Sequence, residues 1–99
     1  MLSALEILKQ LAAIDSTEQA GELACASKIK EIFDSYSISS KIDSWQGNRA
    51  NIEAVIGGGK SKSLMFASHL DVVPVEREFW SSEPFEPLAR DGKLFCRGA

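Results

Sequence analysis

Histidine occurs once in these 99 residues, cysteine twice and proline three times. A single histidine limits any imidazole-based metal site to one such ligand. Cys25 and Cys96 lie far apart and form no Cys-x-x-Cys pair, so neither a zinc ribbon nor a redox motif is supported. Clustered cations are missing as well. The chain carries 11 Lys and Arg against 14 Asp and Glu, for a net charge of −3, and shows no basic stripe of the kind a nucleic-acid surface requires. No apolar run approaches the ~20 residues needed to cross a bilayer. The opening MLSALEILKQ is interrupted by Glu6 and Lys9 and has no small-residue cleavage site, which argues against a signal peptide. A cytoplasmic protein with neither nucleic-acid nor membrane partners is the expectation.

What is present is ordinary for a globular unit: 44% hydrophobic and 25% charged residues. A chain of this length buries only roughly 60 to 70% of its unfolded surface, so modest stability is expected. Ser3 and Glu6 fit a capping box, and Leu5, Leu8, Leu11 and Ala12 share one face, predicting a helix over Ala4–Ile14. Ser16 and Gln19 resemble a second box. Ala26, Ile29, Ile32, Phe33 and Tyr36 then recur at helical spacing, predicting a helix over Thr17–Tyr36. Ile38–Trp45 favours an extended segment, Gln46-Gly47-Asn48 a turn, and Asn51–Ile56 a strand with Ile52, Ala54 and Ile56 on one side. Asp91-Gly92 is a two-residue hairpin signal. The fold class is therefore α/β.

Chemistry is concentrated in LMFASHLDVVP, Leu64 to Pro74. The run Leu64 to Ala67 predicts a short strand covered on both faces. Side chains two apart on an extended segment point the same way, so His69 and Asp71 are expected to face one crevice at the strand's carboxyl end. A neutral imidazole is the commonest protein metal ligand, and a neighbouring carboxylate fixes its tautomer and raises its basicity. Such a pair forms one corner of a metal site. Taken alone, a His-x-Asp pair more often only hydrogen-bonds a loop.

Other segments invite weaker interpretations. AVIGGGKS, Ala54 to Ser61, fits a relaxed phosphate-binding loop, but Lys62 and Ser63 lead into a predicted strand rather than a helix whose N-terminus could hold phosphates. A plain connection is the better reading. Glu76, Glu78, Glu83 and Glu86 read as solvated loop carboxylates, and Trp80 and Phe85 as anchors of that loop. Cys25 reads as a small core residue; Cys96 lies next to Arg97, beside the inferred site.

The ordered blocks HLDVVP (His69 to Pro74), Trp80, PFEP (Pro84 to Pro87), DGKLF (Asp91 to Phe95) and RGA (Arg97 to Ala99) resemble one family. It is the dinuclear zinc amidohydrolases and metallopeptidases that include aminoacylase, acetylornithine deacetylase, succinyl-diaminopimelate desuccinylase and glutamate carboxypeptidase. The resemblance is close over Leu64 to Ala99 and general before it. It implies that residues 1–99 are the amino-terminal portion of a catalytic domain: two helices and a mixed, largely buried sheet, incomplete at the C-terminus. It implies His69 as a ligand of one of two zinc ions, with cobalt or manganese as possible replacements, and Asp71 as the catalytic carboxylate that orients it. The remaining ligands and the general-base glutamate would lie beyond Ala99. The implied reaction is zinc-dependent hydrolysis of an amide bond in an N-acyl amino acid or small peptide, and a homo-oligomer is compatible with the complete protein. Arg97 would orient backbone or carboxylate groups near the metals or form a structural ion pair.

Two positions depart from the family pattern. Ser68 and Cys96 stand where glycine is common, and both are tolerable only at negative φ. A different class stays open beside the enzyme: a non-catalytic α/β module, or a truncated piece that works with a partner chain.

Overall fold

Ser3 opens the first helix as the capping pattern predicts. Its hydroxyl accepts the Glu6 N–H at 3.2 Å, and the Glu6 carboxylate accepts the Ser3 N–H at 2.6 Å. The Ser3 backbone N–H first, and the Ser3 side chain after it, hold the Glu6 carboxyl below its ordinary range. A computed structural model describes residues 1–99. Helix α1 spans Ala4–Ala12, α2 Leu23–Ser35, β1 Ser40–Trp45, β2 Arg49–Ala54, β3 Leu88–Arg90 and β4 Lys93–Phe95, with one 3-10 turn at Arg77–Phe79.

Both helices are shorter than their periodicity predicts. After α1, the Asp15 carboxylate accepts the N–H and the hydroxyl of Thr17, at 2.9 and 2.7 Å, and this local turn competes with further helix. The predicted Ser16–Gln19 box does not form, because the Ser16 hydroxyl is committed to Leu70 instead. Gly21 then adopts φ +78, which delays α2 to Leu23. Glycine is required there for space as well: a Cβ at Gly21 would sit 2.3 Å from the Asn48 carbonyl oxygen. The first amide of α2, that of Leu23, donates to that same oxygen at 2.9 Å.

The β1–β2 hairpin closes at the predicted turn, with Gly47 and Asn48 at φ +80 and +57. Its register pairs Ile42 with Ile52. Ala50, Ile52 and Ala54 turn inward while Asn51 and Glu53 face solvent, the period-2 alternation of a half-covered strand. This inner face packs on α2, where Cys25 and Ala26 are buried. Strand β2 ends at Ala54, so Ile56 does not share that face and is exposed. Asp91 and Gly92 both take positive φ, closing the β3–β4 hairpin as the two-residue signal predicts.

The α/β class holds, but the sheet differs from the expectation. There are two separate two-stranded antiparallel ribbons rather than one mixed, largely buried sheet. Leu64 to Ala67 forms no ladder, and Phe66 is 89% exposed. A strand covered on both faces needs hydrogen-bonded neighbours and a layer on either side, and each ribbon here pairs only with itself. Only 9 of the 99 residues are buried, consistent with a partial domain. No helix is long and apolar enough to cross a membrane.

Candidate metal centre

His69 and Asp71 converge. The His69 Nδ1 lies 2.8 Å from the Asp71 carbonyl oxygen and 3.4 Å from its carboxylate Oδ1. A carbonyl only accepts, so the neutral ring donates Nδ1–H to it and leaves the lone pair on Nε2. The imidazole is 82% exposed and the Asp71 side chain 58%, so Nε2 opens to solvent rather than into a hydrocarbon core. This donor set fits one metal ligand together with the group that orients it. No group of three or more His, Cys, Asp or Glu residues converges in the chain, so a closed coordination shell is not assembled.

Ser16, Arg97 and Gly98 hold the HLDVVP segment in place. Ser16, in the turn after α1, donates its hydroxyl to the Leu70 carbonyl at 2.7 Å, and its own carbonyl accepts the Val72 N–H at 3.2 Å. Arg97 donates from Nη2 to the Pro74 carbonyl at 3.2 Å. Gly98, at φ +85, presses so closely on Val72 that a Cβ there would lie 2.8 Å from Val72 Cγ1. Glu22 and Arg49 complete the surround: with Glu18, Asp71, Val72, Val73 and Pro74 they line an open cleft of about 320 Å³.

Glu22 is buried at the start of α2, and an unpaired carboxylate there would be costly. Both of its oxygens accept the Arg49 Nε–H at 2.8 Å, and Oε2 also accepts the Ala50 N–H at 3.2 Å. The hydrogen bond from Arg49 holds the Glu22 carboxyl below its ordinary range. Arg49 is pushed up in turn, first by that bond and the Glu22 charge, with a further contribution from Asp71. The guanidinium thus brings positive charge beside Asp71.

The hairpin returns Arg97 and Gly98 to Val72 and Pro74, on the His69 side of the molecule, as its turn signal implies. Arg97 bonds a backbone carbonyl and stacks over the Trp80 ring at 5.0 Å; it makes no ion pair with a carboxylate. Its N–H also donates to the carbonyl of fully buried Pro84 at 2.8 Å. Trp80 and Phe85 are partly buried, in keeping with loop anchors. The four loop glutamates are exposed, with Glu83 paired to Arg77. Ser68 and Cys96 both avoid positive φ, so neither departure from glycine strains the backbone. Cys25 and Cys96 are buried free thiols, and burial pushes both up, away from the thiolate. Lys60 and Ser61 open no helix, so the glycine-rich linker lacks the N-terminal amides of a phosphate loop.

Sequence reasoning missed Ser16, Glu22 and Arg49. One signal was available: Glu22 is the lone charge in the small, apolar stretch AGELACA, and a buried carboxylate must find a partner.

No protein-family model matches the chain. Among curated proteins it is similar to a probable succinyl-diaminopimelate desuccinylase of Staphylococcus epidermidis, 39% identical over 83 residues, which is 83% of this chain and 20% of that protein. A probable succinyl-diaminopimelate desuccinylase of Staphylococcus aureus gives the same 39% over 83 residues, with 83% and 20% covered. The succinyl-diaminopimelate desuccinylase of Paracidovorax citrulli is 43% identical over 81 residues, 81% of this chain and 20% of that protein. The chain spans about a fifth of the length of the curated relatives it matches. With 39 to 43% identity across most of its residues, it belongs to the amidohydrolase family that includes the succinyl-diaminopimelate desuccinylases.

Proposed function

We propose that residues 1–99 are the amino-terminal portion of the catalytic domain of a zinc-dependent amidohydrolase that cleaves the amide bond of an N-acyl amino acid or small peptide. The observation that carries this reading is the His69–Asp71 geometry, in which Nδ1 is engaged at 2.8 Å and Nε2 stays free to ligate. The names of the relatives support an acyl amino acid as substrate. A bound zinc ion, or cobalt or manganese in its place, supplies Lewis-acid polarisation of the amide carbonyl and acidifies a water. His69 would contribute Nε2, and Asp71 fixes the ring's tautomer and restrains its rotation.

A catalytic zinc normally takes three protein ligands. One imidazole with its carboxylate holds zinc weakly, so the 99-residue chain is expected to bind it loosely and to show no turnover. Two free thiols fit a reducing, cytoplasmic location. The experiment is hydrolysis of N-succinyl and N-acetyl amino acids by a protein extended to the relatives' length, before and after chelation. Metal-dependent release of the free amine supports the reading. Full activity after complete metal removal, or no hydrolysis of any acyl amino acid by a zinc-loaded protein, contradicts it.

A further inference from the structure

Nothing in the chain pairs with the backbone of residues 55–68, yet the very next residues present His69 and Asp71 in a defined geometry. The fixed point is Ser16. Its hydroxyl donates to the Leu70 carbonyl at 2.7 Å, and its carbonyl accepts the Val72 N–H at 3.2 Å, across 54 positions of sequence for the first bond. Ser16 is 3% exposed, so on its side both bonds are shielded from water. The Asp15–Thr17 hydrogen bonds make the turn that presents it.

These two bonds fix the two peptide planes that flank Asp71. The plane of Leu70 carbonyl and Asp71 nitrogen is held by the serine hydroxyl. The plane of Asp71 carbonyl and Val72 nitrogen is held by the serine carbonyl. In a trans peptide the C=O and N–H of one plane point in opposite directions, and every peptide bond here is trans. With the Val72 N–H aimed at Ser16, the Asp71 carbonyl must point away from it, and that is where it receives His69 Nδ1.

We propose that Ser16 is a positioning residue of the metal site: by clamping Leu70 and Val72 it aims the Asp71 carbonyl at His69, selects the Nδ1–H tautomer and leaves Nε2 as the ligating nitrogen. The role rests on the metal-site reading above, but its test does not require metal.

The chain has one histidine, so its ring nitrogens give an unambiguous 15N signature. On the neutral ring, the wild-type chain shows Nδ1–H as the major tautomer. Ser16→Ala shifts the ratio toward Nε2–H and speeds Val72 amide exchange about five- to tenfold, the loss of roughly one net hydrogen bond. Ser16→Thr, which keeps the hydroxyl, restores both. Ser16→Gly is measured in its place if Ser16→Ala does not fold. The proposal is overturned if the serine variants keep the wild-type tautomer ratio and Val72 protection. It is equally overturned if Ile52→Val, matched in thermal destabilisation, moves the tautomer as far. Zinc titration of the wild-type chain separates the two ideas: an unperturbed Nε2 contradicts the metal reading, whereas an unchanged tautomer in Ser16→Ala contradicts the clamp alone.

Discussion

Glu22 takes the Nε–H of Arg49 on both carboxylate oxygens at 2.8 Å and adds the Ala50 N–H at 3.2 Å on one of them, joining the first residues of α2 to the first residues of β2. The joint does more than hold two elements together, because it keeps the Arg49 guanidinium beside the cleft that Asp71 lines. Charge at the site and packing of the α2–hairpin body are therefore linked through one carboxylate.

Glu22→Gln is expected to lower stability by about 2 kcal/mol, since it weakens a charge-assisted pair and leaves Arg49 without its counter-charge. Thermal unfolding at neutral pH measures it. Because the folded Glu22 carboxyl titrates below its ordinary value of 4.5, its contribution is complete at neutral pH and erodes as the pH falls below 4.5 toward the folded value. The wild-type chain should lose stability across that acid window more steeply than Glu22→Gln does.

Gly21→Ala is expected to cost at least about 2 kcal/mol, combining an unfavourable left-handed conformation with a backbone collision. The Asn48 oxygen that a Cβ would strike also accepts the first amide of α2, so relief of the collision breaks that bond. Urea unfolding of Gly21→Ala beside Gly47→Ala tests this. Both glycines have positive φ, but a Cβ at Gly47 meets nothing closer than 3.9 Å, so its loss should be the smaller.

Local patterns were readable wherever a short-range rule decides the outcome. The Ser3–Glu6 box, the Gly47-Asn48 and Asp91-Gly92 turns, and the inward Ile52 and Ala54 all depend on neighbours within a few residues. His69 and Asp71 are expected together as alternate positions of one strand; no strand forms there, and the nearer partner of His69 Nδ1 is the Asp71 carbonyl rather than its carboxylate. Long-range partners were not readable. Ser16 looked like a helix cap because its neighbours suit one, and only the distant Leu70 carbonyl redirects its hydroxyl. The Leu64 to Ala67 run carries the composition of a buried strand, but a ladder is a property of two segments, and composition cannot supply the second.

Arg97→Lys is expected to destabilise the Pro74–Pro84 loop by about 1 kcal/mol, because an ammonium does not reproduce the planar stack over Trp80 while also reaching the Pro74 carbonyl. Trp80 fluorescence in a Trp45→Phe background reports the loop directly. A red shift without global unfolding is the expected result.

In a protein extended to the relatives' length, His69→Ala should lower zinc content and abolish amide hydrolysis. Asp71→Asn should keep the fold and the backbone carbonyl that takes Nδ1–H, while removing the negative charge 3.4 Å from that nitrogen should cut zinc affinity or turnover about 10- to 100-fold. Metal analysis and acyl-amide hydrolysis on the same samples check both. Wild-type behaviour of both variants contradicts the site assignment.

The central claim is that the one imidazole of this chain offers Nε2 to a metal while Asp71 occupies Nδ1. Zinc titration of the 15N-labelled chain, followed at the two ring nitrogens of His69, tests it most directly. The account predicts a weak, saturable perturbation of Nε2 with Nδ1 still protonated. Coordination through Nδ1, or a ring indifferent to zinc at every concentration the chain tolerates, would contradict it.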